Sequence, residues 1–229
     1  MLTAISALAL AAAGSGVLWL KARRDHREAL AHRAALLDDA CALFPDARVA
    51  IGTDGFPSLS FRLDDGREAR LLLIADSLVT RRLPQLWLAL TILDATPQRR
   101  FSIGALARPT GAEYYSRVHP LPDFVEPPDG DVPLLMRAAA LPRHLVGQAA
   151  RALALPFADP RLKEAVLSPR GISIVRQACE GDRGAHLLLR QARFDAPTVP
   201  ADMVEQAIAD ALVLEGAFDR LAPAPAVPA

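Results

Sequence analysis

SLSFRLDDGREARLLLI, Ser58 to Ile74, is the stretch whose reading decides the fold class. Its first six residues alternate polar and apolar side chains, Asp64-Asp65-Gly66 supplies turn chemistry, and Arg67 to Ile74 returns as a second, leucine-rich run. A period of two on either side of an Asp-Gly turn predicts a β-hairpin with one face to bury.

Working outward, Leu86 to Leu93 reads LWLALTIL, apolar on both faces, which predicts a central strand. Phe101 to Ala107 alternates again, so the four segments together predict an antiparallel meander whose buried face is covered by helices. The fold class expected is therefore α+β. Arg81-Arg82 and Arg99-Arg100 flank the Leu86–Leu93 strand at opposite ends and are expected to be solvated surface, not one basic patch.

Downstream, Pro109 to Pro133 contains six prolines and both tyrosines, Tyr114 and Tyr115, and is expected to wrap across the domain as a long loop. Leu134–Leu141 and Arg143–Leu155 predict short helices split by Pro142, and Asp159-Pro160 a further helical turn carrying Leu162 and Val166. Gly171 to Arg176 and Ala185 to Gln191 predict a second hairpin, connected through Glu180–Gly184. Arg67–Leu73 and Arg183–Leu189 share the pattern R-x-A-x-L-L-L, which makes residues 46–133 and 134–221 candidates for two related halves. Leucine-rich return strands also match by chance. Pro200-Ala201-Asp202 opens a last amphipathic helix with Met203, Ala207, Ala211 and Leu214 on one stripe, and residues 222–229 form a Pro/Ala tail expected to be disordered.

Upstream, Lys21 to Phe44 lacks Gly and Pro, predicting a helix that ends at Pro45. Leu30, Ala34, Leu37, Cys41 and Phe44 share a stripe, the pattern of a coiled coil or of a helix packed on its own domain; barely two heptads favour the second. Before it, Leu2 to Leu20 runs nineteen residues without a charge, long enough to span ~30 Å of hydrocarbon. The rival reading, a cleaved signal peptide, calls for a basic segment ahead of the apolar run, and none is present. Lys21, Arg23, Arg24 and Arg27 instead follow it as a basic collar, which puts the N-terminus outside and the remainder in the cytoplasm. Thr3, Ala7, Ala11 and Ser15 recur every fourth residue and would let a second helix approach closely in the membrane, although an alanine-rich helix shows such spacing by composition alone. The organisation expected is an anchor over 1–20, a juxtamembrane helix over 21–45, one α+β domain over 46–221 and the tail.

Formal charge is zero, with Lys21 to Arg33 carrying five basic and two acidic residues, which leaves the body net acidic. Nucleic acid is accordingly not an expected partner, whereas the collar fits anionic headgroups. Only two residues are Lys and none is Asn, a skew that reads as coding bias. Cys41 and Cys179 have no metal-ligand spacing and read as buried thiols.

No phosphate-binding, dinucleotide, zinc-protease, dithiol or nucleophile-elbow motif occurs, and no cofactor or metal is called for. Hydrogen-bonding and reactive types gather only at Thr110, Glu113, Tyr114, Tyr115, Ser116 and His119. Glu113 or His119 could serve there as a general base, with Tyr115 as a donor. Alternatively the tyrosines pin the proline-rich loop to the sheet. The expected function is a non-catalytic interaction module, single-pass in a bacterial inner membrane, an assembly factor or accessory subunit with a membrane-protein partner or a second copy of itself. The alternatives are a membrane-tethered hydrolase using Tyr114–His119, or a domain that binds anionic lipid.

Overall fold

A computed structural model of the chain describes residues 2–77, 82–95, 99–189 and 192–221, with the side chains of 2–12, 188 and 189 outside that description. The elements run α1 (Leu2–Ala34), a 3-10 turn over Ala35–Leu37, α2 (Asp38–Leu43), β1 (Arg48–Ile51), β2 (Pro57–Arg62), β3 (Glu68–Asp76), β4 (Gln85–Leu93), β5 (Ser102–Ala107), β6 (Asp123–Val125) and β7 (Leu134–Ala139). Then follow α3 (Val146–Ala154), β8 (Leu162–Ser168), β9 (Gly171–Glu180), α4 (Arg183–Leu189) and α5 (Ala201–Leu221). All pairings are antiparallel, in the order β1-β2-β3-β4-β9-β8-β5-β7-β6. The chain is thus α+β, as expected.

The opening hairpin forms where the sequence places it. Gly66 adopts φ +83°, and the Asp65 carboxylate accepts a hydrogen bond from the Arg67 amide at 3.0 Å. Leu59, Phe61, Ala69 and Leu71 all turn to one face, which α2, α3 and α5 cover. Strand β4 is buried on both faces over Gln85–Ile92 and lies near the middle of the sheet, which is what an uninterrupted apolar run requires.

Four expectations are corrected. Strand β5 does not complete a meander beside β4, because the β8–β9 hairpin lies between them. Leu134–Ala139 is a strand, not a helix: Met136 and Ala138 face the core and the segment pairs with both β5 and β6. Leu162–Ser168 is likewise a strand, held by long-range pairing that its helix-compatible composition does not announce. The segment expected to return as the second hairpin strand, from Ala185, is instead the helix α4, capped by the Asp182 carboxylate accepting from the Ala185 amide. The two R-x-A-x-L-L-L segments therefore lie in different structures, one in β3 and one in α4.

The helix expected over 21–45 is interrupted by the 3-10 turn at Ala35–Leu37 before α2. Leu36, Leu37 and Ala40 carry its packing into the core, so it packs on its own domain, with Phe44 stacked on Phe61 at a centroid distance of 3.8 Å. Leu30 stays 37 % exposed and lies against Gly55, whose φ of +81° and missing Cβ let the Leu30 side chain close on the turn. Arg33 completes this base, donating to the Asp54 carbonyl at 3.1 Å with its guanidinium over the Phe56 ring. Residues 13–32 of α1 are otherwise exposed along their length. Tail residues 222–229 lie outside the described residues.

Candidate functional site

Between β5 and β6 the chain crosses the sheet face opposite the helices, and residues 108–122 form a strap over it. An irregularity in β8 fastens this strap. The β8–β9 register shifts between Leu162, opposite Arg176, and Glu164, opposite Val175, so Lys163 is an extra residue. Such a bulge re-aims side chains. Lys163 Nζ donates to the Ala107 carbonyl at 2.7 Å, the Arg108 carbonyl at 3.0 Å and Glu113 Oε1 at 2.9 Å. The next residue, Glu164, accepts from the Ser116 hydroxyl and from the Arg117 amide at 3.1 Å. Two successive residues of one strand thus hold both limbs of the strap.

Glu113 is the hub. Its carboxylate also accepts from the Thr110 amide, the Thr110 hydroxyl and the Gly111 amide, each at 2.9 Å. Burial pushes its pKa up, but the hydrogen bonds from Lys163 and Thr110 outweigh burial and hold it down at about 2. Burial pulls the Lys163 ammonium below the ordinary lysine value, with Glu113 opposing. Of the two directions, that of Glu113 governs the site, because the carboxylate's preference for charge rests on several hydrogen bonds and not on the pair alone. His119 Nε2 lies 3.7 Å from Glu113 Oε2, and Arg137 fixes the backbone there by donating to the His119 carbonyl at 2.9 Å.

The apolar side of the strap is seated on the sheet. Val118 occupies space left by Gly104, where a Cβ would stand 2.8 Å from both Val118 Cγ2 and Val166 Cγ2. Tyr115 packs against Trp87 at a centroid distance of 6.2 Å and against Tyr114 at 5.4 Å. Tyr114 is 62 % exposed, with its hydroxyl donating to the Ala75 carbonyl at 3.3 Å. This is the pinning role that the sequence offered as the alternative to a pocket.

The geometry brings Glu113 and His119 together, but Glu113 is already saturated with donors and ionised well below neutral pH. That makes it a poor proton acceptor. Burial and neighbouring carboxylates push the Tyr115 hydroxyl above the ordinary tyrosine range, so it stays protonated. Ser116 is buried, donates its one hydroxyl hydrogen to the buried Glu164 and accepts from the Val118 amide at 3.1 Å, so its hydroxyl serves the strap. Lys163 and Glu164, which organise the strap, were not singled out by sequence reasoning. The available signal was a Lys-Glu pair inside the apolar run Leu162–Leu167, in a chain with only two lysines.

Beside the strap, Asp76 is 2 % exposed and accepts from Arg82 at 3.1 Å and from the Trp87 indole at 3.5 Å. Arg81 lies outside the described residues. At the opposite end of the sheet, Arg67 bridges Asp65 at 2.7 Å, Asp94 at 3.3 Å and Glu215 at 2.6 Å, and Arg99 bridges Asp219 at 2.7 Å. This network ties the β2–β3 turn to α5 beside an open cleft of about 530 Å³. Arg99 is therefore buried and paired, correcting the expectation of a solvated surface, while Arg100 is exposed.

The collar residues Lys21, Arg23, Arg24 and Arg27 lie on the exposed part of α1, Arg24 paired with Glu28 at 2.7 Å and Arg23 over the Trp19 ring at 5.0 Å. Ser15 is exposed, and the side chains of Thr3, Ala7 and Ala11 lie outside the described residues. Among the described residues no helix is long and apolar enough to cross a membrane. No group of His, Cys, Asp and Glu able to hold a metal occurs among them either. Cys41 and Cys179 are free and partly buried, and burial raises the Cys179 thiol to about 11, which leaves it unreactive at neutral pH. Neither a family model, nor a curated protein, nor a solved structure matches the chain.

Proposed function

We propose that the protein is a single-pass, membrane-anchored interaction module without catalysis of its own, serving as an assembly factor or accessory subunit in a bacterial inner membrane. Its N-terminus lies outside and its α+β domain in the cytoplasm. The observation that carries this reading is the exposed helix: Val17, Leu18, Trp19 and Leu20 are 65, 69, 59 and 61 % exposed, in four consecutive positions. Burying one such side chain stabilises by about 1.5–3 kcal/mol, so a helix bearing them all around is stable only against lipid or protein. Trp19 and Arg23 at the end of the apolar run suit the membrane interface, and Lys21, Arg24 and Arg27 suit the anionic headgroups beyond it.

A hydrolase working through Tyr114–His119 is disfavoured by the saturation of Glu113 and the burial of Ser116. Lipid contact by the collar is part of the anchoring. The test is a carbonate wash of membranes followed by mild-detergent purification of the full chain: retention in the membrane pellet and a stoichiometric assembly are expected. Release by carbonate as a lone monomer would overturn the proposal.

A further inference from the structure

An open sheet has two edges, and here they are built differently. Edge strand β6 has only three residues and sits between Pro120 and Pro122 on one side and Pro127 and Pro128 on the other. Prolines lack the donor that strand addition needs, so this edge is blunted. Edge strand β1 has no proline, and all four of its residues are exposed.

The register of β1 shows which backbone groups are free. The Gly52 amide donates to the Phe56 carbonyl at 2.8 Å, which makes Gly52–Phe56 a hydrogen-bonded pair. Because hydrogen-bonded and non-hydrogen-bonded pairs alternate, Ala50–Ser58 and Arg48–Ser60 bond within the sheet. Val49 and Ile51, opposite Leu59 and Pro57, then direct their N–H and C=O groups away from β2, and no described strand meets them. Their side chains are β-branched, apolar and 52 and 53 % exposed.

From this we infer that β1 is a homodimer interface, joined antiparallel to β1 of a second copy about a two-fold axis through Ala50. The register is self-complementary. Val49 of each copy pairs with Ile51 of the other, satisfying about four outward backbone groups per strand. The same pairing sets four apolar β-branched side chains together on one face. On the other face Ala50 meets its own symmetry mate, and Arg48 meets Gly52, where Asp54 Oδ1 stands 2.7 Å from the position a Cβ would take. That carboxylate, which accepts from the Phe56 amide at 3.1 Å, lies on the face where the other copy's Arg48 would meet Gly52, so the pairing sets opposite charges together twice. The occupant that sets an arginine against this carboxylate and β-branched side chains against Val49 and Ile51 is a second copy, in which each contact is made twice by symmetry. The base of α1 rests on the same turn, at Asp54, Gly55 and Phe56, so pairing would bring two α1 helices close together. This deepens the interaction-module reading by naming its partner. The short contact gains strength from the effective concentration of chains held in one membrane.

The test uses the full chain in detergent micelles. Light scattering across a concentration series should show a dimer. Ile51→Pro, which removes an outward N–H and one of the four clustered side chains while breaking no bond to β2, should raise the dimer dissociation constant roughly tenfold or more while leaving circular dichroism unchanged. In a second variant, Cys41 and Cys179 become Ser and Ala50 becomes Cys. Opposed residues of a non-hydrogen-bonded pair stand ~4.5 Å apart, so mild oxidation should give a covalent dimer, whereas Phe124→Cys on the other edge should not. That variant decides the matter even if Ile51→Pro fails to fold. A monomer throughout, or a dimer indifferent to Ile51→Pro and without a cross-link at position 50, overturns the inference. Carbonate resistance would survive such a failure, which separates it from failure of the anchor itself.

Discussion

At the scale of single residues, the strap over the sheet depends on one buried carboxylate. Its folded-state pKa of about 2 lies below the ordinary glutamate value of 4.5. A depressed carboxylate contributes stability in full above the unfolded value and loses it as pH falls toward the folded one. Denaturant titrations should therefore show a Glu113-dependent loss of stability between pH 4.5 and about 2, absent in Glu113→Gln. At pH 7 that variant leaves Lys163 buried without its counter-charge and should cost about 3–5 kcal/mol in urea unfolding. A loss under 1 kcal/mol would show the pair to be dispensable. Glu113 was legible in the sequence as the centre of a polar cluster. Its partner was not, because Lys163 lies fifty positions away and meets it only through sheet pairing.

At the scale of elements, the bulge in β8 decides what the strap can be. It turns Lys163 and Glu164 toward Glu113 and Ser116, so these two residues, which looked available for catalysis, are bonded to buried side chains of the strand. Val118 is seated only because residue 104 has no side chain. Gly104→Ala would place a Cβ 2.8 Å from two valine methyls and should destabilise by about 1–3 kcal/mol, raising proteolytic cleavage within 108–122. Undiminished protease resistance would show that the strap is not seated through Val118. The first hairpin, the central strand β4 and the helices α3 and α5 were legible from local period and turn chemistry. Strands β7 and β8 were not, since their alanine and leucine content suits either state and long-range pairing chooses the strand.

At the scale of the whole molecule, a packed α+β body carries an exposed helix whose Leu30 and Arg33 rest on the turn at Asp54 and Gly55. If the collar sets orientation, changing Arg23, Arg24 and Arg27 to Glu should invert the signal of reporter fusions to the C-terminus or reduce membrane association. An unchanged reporter would rule out that role. By itself the sequence determined what local physics can express: an apolar run closed by a basic collar, a hairpin turn, a strand apolar on both faces, and a loop stiffened by prolines and tyrosines. Those are statements about neighbours in the chain. Only the tertiary structure decided that β8 and β9 separate β4 from β5, that Lys163 reaches Glu113, and that β1 is left as an open edge while prolines guard β6. The reason is that each depends on which distant strand lies alongside, a choice made by burying the joint core and not by any one segment's preference.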